Sequence, residues 1–69
     1  MKRINVRYGA EDYSIGGREL AEVQEEIASG LRQNGMHWLT VNQGAGREQI
    51  ASLAISLGTP IALIPIEEE

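Results

Sequence analysis

The stretch Arg18–Asn34 constrains the fold most, because it has the pattern of one amphipathic helix between two groups of strand-like segments. Successive helical residues turn by about 100°, so apolar residues spaced three or four apart share one face. Four large apolar side chains fall on that stripe: Leu20, Val23, Ile27 and Leu31. The opposite side carries charged and polar residues. We therefore expect the helix to lie on a sheet with one face buried and the other in water.

Two glycines near the end of this helix lead to separate predictions. Gly35 follows Asn34 and predicts the end of the helix, because glycine readily takes the left-handed conformation after the last turn. Gly30 lies inside the helix, where glycine costs about 1 kcal/mol relative to alanine. Two explanations stay open for Gly30: a close approach of the helix to a strand, or tolerance near a fraying helix end.

Three segments around the helix alternate as strands do. Lys2–Tyr8 alternates apolar and polar residues, and Tyr13–Ile15 is a short returning strand, so together they predict a hairpin. After the helix, Met36–Asn42 is a third strand, in which Trp38 and Leu39 face opposite sides.

The last two segments are Glu48–Leu57 and Ile61–Ile66. The first fits a strand or a helix, and we prefer a strand because the turns that flank it are short. The tight turn at Gly58–Pro60 then predicts that the two segments pair as a hairpin. Pro65 lacks a backbone donor, so the last strand should lie at a sheet edge or be unpaired there. The register around the turn Gln43–Gly46 stays open.

The predicted order is therefore β-β-α-β-β-β. It indicates a single α+β domain over residues 1–66, with an antiparallel sheet, one helix packed on one face, and an acidic tail over residues 67–69. The ubiquitin-like β-grasp is the alternative, since it also runs hairpin, helix and then strands. In that fold the last strand is central and pairs with the first, and Pro65 weighs against a central position.

Composition excludes several kinds of site. The 69 residues contain no cysteine and one histidine, so we expect no disulfide, metal or cofactor. A formal net charge of −4 argues against non-specific nucleic-acid binding. No apolar run approaches the ~20 residues of a membrane span, and the first residues lack a signal peptide's apolar core, which predicts a soluble, cytoplasmic protein. A chain this small is marginally stable alone, so oligomerisation is the expected source of extra stability.

The predicted sheet has more apolar surface than one helix can cover. The helix should cover one face, which is formed by Ile4, Val6, Tyr8, Leu39, Val41, Leu53, Ile55 and Leu63. The opposite face should carry Trp38, Ile50, Ala54, Ala62, Ile64 and Ile66. An exposed apolar patch that includes a tryptophan is typical of an interface, so we predict self-association there. The alternative is a sheet that curls into a small barrel around these residues.

Three further groups of residues are candidates for binding or chemistry. Glu19, Glu22 and Glu26 form a ridge along the helix, which is either an acidic docking strip or an ordinary solvated face. Arg3, Arg7 and Arg47 are candidate contacts for an anion. His37 has no partner that the sequence places beside it, so we predict no catalytic residue and no enzyme.

These features favour a non-enzymatic protein-interaction module that forms a homodimer or larger assembly through the apolar sheet face. The first alternative is a small protein that sequesters an anionic ligand or nucleotide between protomers through its arginines. The second is an acidic, phage-encoded inhibitor that binds a host protein through the glutamate ridge.

The chain also resembles small actinobacterial and actinophage proteins of unassigned activity. The resemblance rests on YGAEDYSIGGRELAEVQEEIASGLRQNG, WLTVNQGAGR and LGTPIALIPI, and so spans most of the chain. The matching positions are Tyr8-Gly9, Arg18, Leu20-Ala21 and Gly58 to Ile61. It implies a short accessory protein and assigns no functional residue.

Overall fold

Five strands and one helix follow each other in the predicted order. The computed structural model describes residues 2–44 and 48–67. The elements are β1 (Lys2–Tyr8), β2 (Glu11–Gly16), α1 (Leu20–Asn34), β3 (Met36–Asn42), β4 (Ile50–Ser56) and β5 (Ile61–Glu67). The α+β class is confirmed, and so is the choice of a strand for the segment that became β4.

Four elements have bounds that differ from the prediction. One is β4, which covers Ile50–Ser56 and not all of Glu48–Leu57. The helix begins at Leu20, because Glu19 has an extended backbone with φ −81° and ψ 145°. β2 is longer than Tyr13–Ile15, and each of its six residues pairs with β1. β5 includes Glu67, whose backbone pairs with Lys2, so the strand takes the first residue of the predicted tail. The rest of that tail lies outside the described residues.

The strands form one antiparallel sheet in the order β4-β3-β2-β1-β5. The predicted hairpin of the last two strands is wrong: β5 pairs with β1, with Leu63 opposite Val6, and β4 pairs with β3. β5 lies at an edge, as Pro65 required. A central last strand defines the β-grasp alternative, so that alternative does not describe this sheet.

The sheet curls until its two edge strands approach each other. In a flat sheet, β4 and β5 would lie about 19 Å apart, which is four strand spacings of about 4.8 Å. Only residues 57–60 join them, and the Thr59 N–H donates to the carbonyl oxygen of Ser56 at 3.0 Å, so this link is a folded turn. The Tyr8 hydroxyl on β1 also donates to the backbone carbonyl of Ala54 on β4 at 2.7 Å. The curled sheet thus places both edges beside one short turn.

The core lies inside the curl and under the helix. The buried side chains are Ile4, Val6, Ile15, Val23, Leu39, Val41, Leu53 and Ile55. Leu20 and Ile27 of the helix stripe pack against this core, as do Tyr8 and Leu63. The predicted inner face is therefore confirmed. The sheet curls, but it encloses the side chains of its inner face and not the six residues of the predicted apolar patch.

Helix α1 lies close to β3 at Gly30. A methyl group on Gly30 would lie 2.5 Å from Nδ1 and 2.8 Å from Cβ of His37. This contact confirms the first explanation of Gly30, a close approach to a strand. The helix ends as predicted, with Gly35 at φ 76° and its N–H donating to the Leu31 carbonyl at 3.0 Å.

Candidate functional site

The outer face of the sheet is the candidate site, because the helix covers only the inner face. Strand alternation places every second side chain on the outer face. One row of paired residues crosses all five strands on that face, in the order Ile64, Asn5, Ser14, Asn42 and Ile50. The row is polar in its middle and has an isoleucine at each end.

Two apolar clusters lie at the two sides of the outer face. The β3–β4 cluster consists of Trp38, Ile50 and Ala54, and the β5 cluster of Ala62, Ile64 and Ile66. Trp38 is 60% exposed, Ile50 63% and Ile64 46%. We predicted a single patch of these six residues because we expected the last two strands to pair with each other. The observed strand order separates them, and polar residues of β1 and β2 lie between.

The register of β3 and β4 settles which way Trp38 faces. The two strands pair without a bulge from Met36 opposite Ser56 to Asn42 opposite Ile50. Leu39 is buried and Trp38 is exposed, as the alternation predicted. Residues 45–47 of the intervening turn, including the candidate anion contact Arg47, lie outside the described residues.

A polar groove of about 950 Å³ runs between the two clusters. Its lining includes Arg7 and Asn5 of β1, Asp12 and Ser14 of β2, and Ile64 at one side. Arg3 also lines the groove and makes an interaction of its own. The structure therefore brings two of the three predicted anion contacts to one groove.

The sequence pattern missed the groove's central polar residues. Asn5 and Ser14 are opposite each other on β1 and β2 and are half-buried. Within the described residues, neither side chain has a hydrogen-bond partner in the chain. Their only signal in the sequence is that each is an uncharged polar residue between two inward-facing apolar residues, a pattern that many solvent-facing strands share.

Each carboxylate of the predicted acidic ridge has a cationic partner. Glu19 pairs with Lys2 of β1. Arg18 contacts Glu22 at 3.3 Å through Nε and Glu26 at 2.7 Å through Nη2. A partner would therefore meet a ridge whose negative charges are largely balanced by neighbouring cations. The docking role of the ridge stays a prediction.

His37 joins this network from β3. Its Nε2 lies 2.6 Å from Oε2 of Glu26, and the two side chains are 20% and 32% exposed. Partial burial raises the pKa of the Glu26 carboxyl, but the hydrogen bonds from His37 and Arg18 outweigh it and hold that pKa below its usual value. The same hydrogen bond from Arg18 to Glu26 raises the pKa of the guanidinium. The cluster connects α1 to β3, and the sequence did not predict it because its members are distant along the chain.

Replacing Glu26 by glutamine should lower the stability of the protein at neutral pH and have less effect in acid. A carboxyl group whose pKa is depressed by folding stabilises the fold above its unfolded pKa, which is about 4.3, and loses that effect as the pH falls through its folded pKa. The groups that face Glu26 are His37 and Arg18, and Arg18 also contacts Glu22.

Urea unfolding of the wild type and of Glu26→Gln at pH 7 and at pH 3 measures this difference. The gap in unfolding free energy between the two should shrink at pH 3. The matched control is Glu25→Gln, which removes a more exposed carboxylate 3.2 Å from Arg32 and should change little at either pH. A gap that stays constant or widens in acid would contradict the role given to Glu26.

The described residues contain no group of three side chains that could ligate a metal ion. Among the described residues, helix α1 is not long and apolar enough to cross a membrane. The fold and the outer face together define a small curled-sheet α+β protein with an open, partly apolar sheet surface. Comparisons with protein-family models, curated proteins and solved structures gave no match. The resemblance to small actinobacterial and actinophage proteins therefore stays a prediction.

Proposed function

We propose that this chain is a non-enzymatic protein-interaction module that self-associates through the outer face of its sheet. The exposure of Trp38 is the observation that carries the proposal. A tryptophan offers 150–250 Å² of surface for burial, at about 25 cal/mol per Å² of apolar area. The fold leaves this side chain 60% exposed while it buries eight smaller apolar residues. Contact with a second copy would recover part of that stabilisation.

The layout of the outer face fits a second copy of the same chain. In a twofold-symmetric dimer, one surface must be complementary to itself. The central row has isoleucine at both ends, Asn5 and Asn42 inside them, and Ser14 in the middle. The row therefore has a similar order of residues from either end, as a surface that pairs with its own copy should have.

An aspartate at Ile64 should disrupt this assembly, since it would place a charge in the middle of the β5 cluster. We expect the dissociation constant to rise at least tenfold, measured by light scattering over a range of micromolar concentrations. The matched control is Leu57→Asp, which makes the same kind of change at an apolar residue that is 85% exposed in the turn at residues 57–60 and belongs to neither cluster.

The two variants separate an interface on the sheet face from one at the turn. Both should keep the circular dichroism spectrum of the wild type, because both positions are exposed. Assembly that survives Ile64→Asp, or that is lost in Leu57→Asp, would count against the outer face as the interface.

A further inference from the structure

The polar groove contains hydrogen-bond donors that the fold does not use. The Arg7 guanidinium lies 3.8 Å from the Asp12 carboxylate, and the Arg7 side chain makes no hydrogen bond within the described part of the chain. A guanidinium has five N–H donors, so one long contact leaves most of them available. Asn5 lies two residues before Arg7 on β1, about 7 Å from it, and adds an amide. Ser14 pairs with Asn5 from β2 and adds a hydroxyl.

This set of donors matches an oxyanion. Arginine binds phosphate and carboxylate groups with its planar fork, and amide and hydroxyl donors can satisfy the remaining oxygens. Ligand sites in proteins usually occupy about 300–1,000 Å³. The groove, at about 950 Å³, is therefore large enough for a molecule of nucleotide size as well as for a free anion.

We propose that the groove binds a phosphate group through Arg7, Asn5 and Ser14, carried either on a nucleotide or as free phosphate. This site goes beyond self-association and is complete in one copy, since all three residues belong to one β1–β2 hairpin. The groove shares the outer face with the proposed interface, so phosphate and a second copy would compete for that face. Two carboxylates line the groove and repel an anion, Asp12 and Glu48, and Asp12 also competes for Arg7. Asp12 therefore sets the affinity of the site, and its removal should strengthen binding.

Two ion pairs of similar exposure serve as the site and its control in the test. Arg7 is 60% exposed and faces Asp12 in the groove, whereas Arg32 is 64% exposed and faces Glu25 on the helix. Arg7→Met and Arg32→Met remove the same charge, and Asp12→Asn and Glu25→Gln each remove one negative charge. Only the first member of each pair touches the groove, so general electrostatic effects cancel in the comparison.

Inorganic phosphate titrated at constant ionic strength, followed by amide NMR, measures binding. We expect saturable shifts at Asn5 and Ser14. Arg7→Met should weaken binding at least tenfold and Asp12→Asn should strengthen it about threefold or more, while Arg32→Met and Glu25→Gln should match the wild type. Adenosine monophosphate titrated in parallel identifies the source: tenfold tighter binding indicates a nucleotide, and equal binding indicates free phosphate.

Two results would overturn the site. One is the absence of saturable shifts on β1 and β2 with both probes. The other is an equal loss of binding in Arg7→Met and Arg32→Met, which would show attraction by net charge alone. Because binding and assembly are measured separately, a chain that stays monomeric but binds phosphate would disprove self-association and leave the groove site standing.

Discussion

Replacing Leu39 by alanine should lower the free energy of unfolding by about 2–5 kcal/mol, whereas replacing Trp38 should leave the fold of the monomer nearly unchanged. The two residues are neighbours on β3 and face opposite sides of the sheet. Leu39 is fully buried, so its truncation removes apolar contacts and leaves a cavity. Trp38 is exposed, so its truncation removes few contacts within the fold. Under the proposed self-association, it would remove a contact surface for a second copy.

Urea unfolding followed by far-UV circular dichroism, at the lowest workable protein concentration, measures both changes. A domain of this length is stabilised by roughly 3–10 kcal/mol in total, so Leu39→Ala could unfold it outright. Leu39→Val is the milder companion variant and should cost about 1 kcal/mol. A stability loss in Trp38→Ala as large as that in Leu39→Ala would mean that Trp38 belongs to the core.

Replacing Gly30 by alanine should destabilise the protein although alanine is the better helix former. The alanine should gain about 1 kcal/mol in helix propensity. Against this, its methyl group would meet His37 at 2.5–2.8 Å, and overpacking of this kind costs about 1–3 kcal/mol. Rotation of the imidazole cannot relieve the clash, because Cβ of His37 is one of the atoms in the way. The helix must therefore move away from β3.

A double-mutant cycle with His37→Gly separates the two contributions. Without the His37 side chain, Gly30→Ala should become stabilising by up to about 1 kcal/mol, as it would be in an isolated helix. Thermal and urea unfolding of the four proteins give the coupling between the two positions. If Gly30→Ala stabilises the wild type, the helix does not pack on β3 as closely as the structure shows.

Local periodicity explains what the sequence predicted correctly. The helix stripe of Val23 and its neighbours, and the alternation in β1, β3 and β4, repeat over a few residues, and each pattern allows one buried face. Gly35 and Pro65 each carry a backbone constraint that acts within their own turn or strand. These local signals do not depend on which helices and strands contact each other in the fold.

The pairing of the last two strands was predicted wrongly because it depends on contacts between distant residues. The turn at residues 57–60 is equally short whether it closes a hairpin or joins the edges of a curled sheet. The difference lies in the hydrogen bond from Tyr8 to Ala54, 46 residues apart, and in the pairing of β5 with β1. The same limit applies to the site: the groove joins β1, β2 and the end of β3, and its residues form no sequence motif.

The most direct test of self-association is the molar mass of the wild-type protein measured by light scattering from low to high micromolar concentration. The chain mass is 7.6 kDa. Self-association through the outer face predicts a mass that rises with concentration to that of a dimer or larger assembly, and that stays near the monomer value in Ile64→Asp. A wild-type mass that remains at the monomer value across the whole range would contradict it.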